Sequence, residues 1–245
     1  SLPEMNARIN ELLKASVKSD GVINLFSDVS GEFNLFDPKF LDEISKMKEK
    51  NLAVELLKKL IAEQVKIYKH TNVVKSQKFS EIIQQAMNAY LNGMLTNEQV
   101  IEELLKLAKQ IAEANKEGEQ LGLTADELAF YDALTKPQAI KDFYENEELI
   151  AITKELADML RKNRTIDWQK RDSARARMRM MIKKLLRSHR YPPEGMDDAV
   201  ETVMTQCELW TDNNDMEENN ASRNQTNYSL NKTTPLMVAE NSNQY

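Results

Sequence analysis

Apolar residues return every three to four positions along most of this chain, the spacing of amphipathic helices. Met5, Ile9, Leu12 and Leu13 share one face of an opening helix, and Gly21 and Gly31 then interrupt the pattern in a loop or short extended piece. Asp37 followed by Pro38 predicts an N-cap and a first helical residue for a helix carrying Phe40, Leu41, Ile44 and Met47. Asn51 is placed to cap the next, where Leu52, Leu56, Leu57, Leu60, Ile61, Val65 and Tyr68 keep the period. The stretch SQKFSEIIQQAMNAYLNG repeats it and stops at Gly93, a residue suited to the left-handed turn beyond a helix end. Thr96 opens a long amphipathic helix ending near Gly118. Thr124 with Glu127 three residues on predicts a capping box, Pro137 begins a short helix, and Asn146 caps another. RTIDWQ breaks the period; a basic helix follows and ends at Pro192-Pro193, which cannot continue it. A last helix reaches Trp210, with Asp197 and Asp198 near its positive N-terminal end.

These elements predict an all-α fold with little or no sheet. Residues 1–32 form a helix and loop leading in, 33–210 a helical domain, and 211–245 an Asn-rich segment without apolar period, expected to be a flexible tail. Composition agrees: hydrophobic residues are 41% and charged residues 29%, while Gly and Pro number six each. The single cysteine, Cys207, rules out an internal disulfide and fits a reducing, cytoplasmic setting. Neither a signal peptide nor an apolar run of about 18 residues is visible, so no membrane span is expected. The chain opens on Ser1 rather than an initiator methionine, and is expected to be a piece of a longer protein.

Catalytic signatures are missing. There is no Gly-rich phosphate loop, and His70 and His189 lack Cys or His at metal-ligand spacing, so neither a metal nor another cofactor is expected. Cys207 has Val203 and Met204 as helical neighbours and reads as a packed thiol. Glu102-Glu103 and Glu147-Glu148 are adjacent on helices and point apart, which suits solvated faces rather than acid–base pairs.

Charge is distributed unevenly. From Arg161 to Arg190 there are twelve Lys/Arg against two Asp/Glu, a balance of +10 in a chain whose net charge is −6. Arg171, Arg175, Arg179, Lys183 and Arg187 fall at steps of four, with Arg190 beyond. At about 100° per residue, Ala174, Met178, Met181, Ile182, Leu185 and His189 gather on one arc, with Leu186 and Arg175 at its edge. That arc is core-facing. The basic remainder lacks the mixed signs of an ordinary solvated face, and like charges at i,i+4 repel. Two neutralising partners fit equally well on these grounds: carboxylates of this protein or of a protein partner, and a phosphate backbone.

NLAVELLKKLIAEQV, SQKFSEIIQQAMNAY, EGEQLGLTADELAFYDAL and TIDWQKRDSARARMRMMIKKLLRSHRYPP occur in this order. Together they resemble the C-terminal region of the motor (R, HsdR) subunit of type I restriction–modification enzymes, over roughly Asp20 to Trp210. The resemblance implies a parent enzyme that translocates double-stranded DNA with ATP and cuts it at a distance, its nuclease and motor domains lying N-terminal of this region. None of the family's catalytic motifs maps onto this chain. The work implied is docking to the methyltransferase and specificity subunits and lining the DNA path. Arg171, Arg175, Arg179, Lys183, Arg187 and Arg190 become candidates for sequence-independent phosphate contact. The alternative is a purely protein-docking module whose basic face meets an acidic subunit surface. A stand-alone nucleic-acid-binding regulator is disfavoured by the opening at Ser1 and the lack of a recognition-helix motif.

Overall fold

Nine α-helices account for nearly all of the backbone in the computed structural model, which describes residues 35–165 and 167–230, with side chains described up to 213. They are α1 (Pro38–Ser45), α2 (Lys50–Thr71), α3 (Val73–Leu91), α4 (Asn97–Leu121), α5 (Ala125–Thr135), α6 (Gln138–Phe143), α7 (Asn146–Asn163), α8 (Asp172–Ser188) and α9 (Pro193–Leu230). A 3-10 turn, Trp168–Lys170, lies between α7 and α8, and there is no strand among the described residues. The fold is all-α. The expected helix over 1–17 and the loop after it lie outside the described residues.

Local signals account for several of the helix starts. The Asp37 carboxylate accepts the Lys39 amide ahead of Pro38. Thr96 with Gln99, and Thr124 with Glu127, form reciprocal capping boxes. Two expected caps are placed differently. Asn51 lies inside the first turn of α2, where it accepts from the Tyr90 hydroxyl, and Asn146 lies inside the first turn of α7, where it accepts from Tyr131. Tertiary partners have claimed both side chains. Gly118 does not end α4. The helix continues to Leu121 and turns at Gly122, whose φ of 65° is left-handed. Gly118 is instead a close-packing site: a β-carbon there would stand 3.1 Å from the Leu123 carbonyl oxygen and 3.4 Å from a Leu128 methyl.

The region expected as one helical domain contains two apolar clusters. The first joins α1–α4 around Ile44, Leu57, Ile61, Phe79, Leu104 and Ile111. The second joins α5–α9 around Phe130, Leu156, Trp168, Ile182, Val203 and Cys207. Central to the second is α5, buried on every side from Leu128 to Thr135, as a helix apolar all round must be. Between the clusters runs a polar seam. At the bend between α2 and α3, the Gln206 side chain accepts the Val73 amide at 2.9 Å and donates to the Thr71 carbonyl at 2.9 Å. Beside it, Asn72 donates to Asp132 of α5 at 2.7 Å.

Trp210 does not end the last helix, because α9 runs on to Leu230. Thr211 is buried and accepts the Trp168 indole N–H at 3.1 Å, and Asn213 donates to the His70 carbonyl. The apolar period stops at Trp210, but polar contacts continue for three residues, to Trp168 of the second cluster and to His70 of α2. Residues 231–245 of the expected tail lie outside the described residues.

Candidate nucleic-acid interface

The TIDW stretch positions the basic helix. Asp167 takes a left-handed conformation, φ 56°, and turns the chain into the 3-10 segment that buries Trp168 completely. From there α8 lies across α9 and α7, with Met178, Ile182, Leu185 and Leu186 buried. This is the expected apolar arc, rotated slightly: Leu186, expected at its edge, is fully buried, whereas Met181 is only half-buried. At the far end Tyr191 is buried and donates to the Leu134 carbonyl at 2.7 Å. The turn before it places Arg190 at a φ of 60°.

The six candidate cations divide into two sets. Arg175 pairs with Glu208, Lys183 lies 3.0 Å from Asp197, and Arg179 grips Glu201 with two donors at 2.6 and 3.1 Å. The three carboxylates sit on one side of α9, so the two helices meet along a ladder of ion pairs. Hydrogen bonding from Arg179 holds the Glu201 carboxyl below its ordinary range, and the same bond raises Arg179. Of the two neutralising partners open from the sequence, Arg179 and Lys183 thus have carboxylates of this protein: α9 carries Glu201 and Asp197 at the same one-turn spacing and pairs with them. Arg175 is turned furthest inward, because the rotated apolar arc takes it toward the core; its guanidinium also reaches the Gln169 carbonyl at 3.5 Å.

Arg171, Arg187 and Arg190 remain exposed, with no ion pair among the described residues. Arg177 and Lys184 join them, also exposed and unpaired among the described residues. Arg177, Met180, Lys184 and Arg187 recur at steps of three and four and form the outward stripe of α8, with Met180 70% exposed at its middle. The helical period already separates this stripe from the 175/179/183 row, but which row meets solvent depends on where α9 lies.

A second polar cluster went unread in the sequence. Lys75, buried at the start of α3, lies 2.7 Å from Glu117 of α4 and 3.1 Å from Asp132 of α5. It lines an open cleft of about 730 Å³ that also includes Lys78, Lys136 and Lys141. Cations and carboxylates are mixed around this cleft, which gives it no single ligand chemistry. No sequence motif joins its members; they meet only because α5 packs against α3 and α4.

Nothing among the described residues resembles a catalytic constellation. Cys207 is fully buried, and burial pushes its thiol up to about 12, away from a reactive thiolate. His189 meets Glu155 at 2.6 Å, while His70 is exposed on α2. Among the described residues no group of three His, Cys, Asp or Glu is placed to hold a metal, and no helix is long and apolar enough to cross a membrane.

The model of the family described as type I restriction enzyme HindI endonuclease subunit-like, C-terminal, matches residues 1–213. The chain is 34% identical over 208 residues to the type I restriction enzyme HindI endonuclease subunit of Haemophilus influenzae, covering 84% of this chain and 20% of that protein. It is 30% identical over 182 residues to a protein of Methanocaldococcus jannaschii described as a putative type I restriction enzyme MjaIXP endonuclease subunit, covering 73% of this chain and 17% of that one. The chain thus spans about a fifth of the length of these curated relatives. No solved structure matches it significantly.

Proposed function

Because the chain belongs to the family of C-terminal regions of HindI-like type I restriction endonuclease subunits, we propose that it is a non-catalytic helical module that docks its subunit to the methyltransferase and specificity subunits and touches double-stranded DNA without reading sequence. One observation carries the DNA reading: Arg177, Lys184 and Arg187 on the outward stripe, with Arg171 before the helix and Arg190 after it in the chain, are exposed and lack carboxylate partners among the described residues. Like charges so placed repel along the helix, and a phosphate backbone relieves the repulsion while releasing its own counterions. The non-catalytic part of the reading is supported by the buried thiol and by the separation of the two histidines.

The test is the full chain carrying Arg177→Glu, Lys184→Glu and Arg187→Glu, titrated with unrelated duplexes at two salt concentrations. Affinity should fall equally for every sequence, and the log–log salt slope should shrink by about 0.9 for each phosphate that the variant no longer neutralises. The helical signal and melting temperature should be retained, since all three side chains are exposed. A docking surface for an acidic subunit is the second reading, favoured by Met180 in the middle of the stripe, since apolar anchors ringed by charge suit protein contacts. It requires the same variant to keep its DNA affinity and lose assembly with the methyltransferase and specificity subunits.

A further inference from the structure

We infer that the acidic row of α9 is an intramolecular competitor for DNA, holding Arg179 and Lys183 out of the phosphate-contacting face until duplex displaces it. This rests on the reading of α8 as that face. The ladder is graded in exposure. Its inner rung, Arg175 with Glu208, has side chains only 29% and 31% exposed. The next, Arg179 with Glu201, stands at 40% and 59%, and the outermost, Lys183 with Asp197, at 38% and 88%. Exposed ion pairs in water contribute little, because solvent screens them and two long side chains must be held in one geometry. The inner rung is thus a structural contact, and the outer two are exchangeable.

Arg179 and Lys183 also lie beside the free stripe. Lys183 immediately precedes Lys184 and is one turn from Arg187, and Arg179 is two residues from Arg177. Rotation of their long side chains widens the cationic surface from one stripe to most of the solvent side of α8 without moving the backbone. While the rungs are closed, Asp197 and Glu201 offset two cations and set two carboxylates at the edge of the stripe, where they repel phosphate. Carboxylate and phosphate both accept the paired donors of Arg in the same planar geometry, so one can replace the other on Arg179.

The experiment is Asp197→Asn with Glu201→Gln in the full chain, measured beside Glu98→Gln with Glu119→Gln, which removes two exposed carboxylates from α4 and changes net charge equally. The first variant should bind duplex roughly tenfold or more tightly at about 0.1 M salt, with a log–log slope steeper by about 1.8, as neutralising two further phosphates requires. The α4 variant should bind as wild type. Equal tightening in both variants, or unchanged affinity and slope in the α9 variant while it melts normally, overturns the inference. The outward stripe is judged separately: if Arg177→Glu/Lys184→Glu/Arg187→Glu loses binding while the α9 variant matches wild type, the surface reading stands and the competitor falls. If the triple variant binds as wild type and the α9 variant still tightens, the competitor stands on Arg179 and Lys183 alone.

Discussion

Replacing Lys75 with Met asks whether charge holds the seam between the two apolar clusters. Lys75 and Asp132 are each only 7% exposed, and the ammonium bridges Asp132 and Glu117. Removing one member of a buried ion pair leaves the other charge uncompensated and costs roughly 3–5 kcal/mol. The lower end applies, because Glu117 is 30% exposed on its side chain and can relax into the cleft, and Asn72 still donates to Asp132. A loss of about 3 kcal/mol, at roughly 2–4 °C per kcal/mol for a chain of this size, lowers Tm by about 6–12 °C.

The pH dependence identifies the mechanism. The cluster holds one cation and two carboxylates. Burial pushes Lys75 down, but Asp132 and Glu117 outweigh it and raise the ammonium above its ordinary range. Burial pushes the Asp132 carboxyl up by more than Lys75 and Asn72 pull it down. A carboxyl raised by folding favours the native state in its protonated form, so its contribution is present in acid and is lost as pH rises through the raised value. Without Lys75 the Asp132 carboxyl rises further, and the penalty seen near pH 7 should shrink toward about pH 5. Urea unfolding followed by circular dichroism at the two pH values measures both quantities. A loss below about 1 kcal/mol at neutral pH, or an equal loss at both, refutes the charge-held seam. Lys75→Met combined with Asp132→Leu should recover most of the stability, since apolar replacement of a whole buried pair is often neutral.

Met178→Asp places a carboxylate at a position 2% exposed and facing Ile182 and Leu185, so the variant should lose several kcal/mol and melt at much lower temperature; normal melting would place α8 the other way round. Ending the chain after Trp210 removes Thr211 and leaves the buried Trp168 indole N–H without its acceptor, which should cost about 1–3 kcal/mol by thermal or urea unfolding. Ending it after Asn213 should preserve that hydrogen bond, and equal stability of the two truncations would dismiss the Trp168–Thr211 bond as a stabilising interaction.

Helices were legible wherever a local rule sufficed. Asp37-Pro38, Thr96 and Thr124 with Glu127 act within one turn, and the structure starts a helix at each, adding Gln99 as the reciprocal partner of Thr96. Asn51 and Asn146 obey the same local rule but were taken by Tyr90 and Tyr131, from 39 and 15 residues away. The Lys75 cluster lay beyond reach for a related reason, since Glu117 is 42 residues along the chain and packing alone unites them. The basic helix stands between these cases. Its apolar stripe follows from period alone, and so does the division of its cations into two rows. Which row meets solvent does not, because rotating α9 around α8 exchanges them without changing either helix. Yet Asp197 and Glu201 are spaced like Arg179 and Lys183, one turn apart, in the helix that follows a tight reversal at Arg190. Helices so joined run side by side in opposite senses, and that reversal matches the outermost cation, Lys183, to the first carboxylate, Asp197. Charge spacing on consecutive helices is therefore a readable signal of which cations a protein keeps for itself, and on α8 the cations that remain are those without a matching carboxylate on α9: Arg177, Lys184 and Arg187.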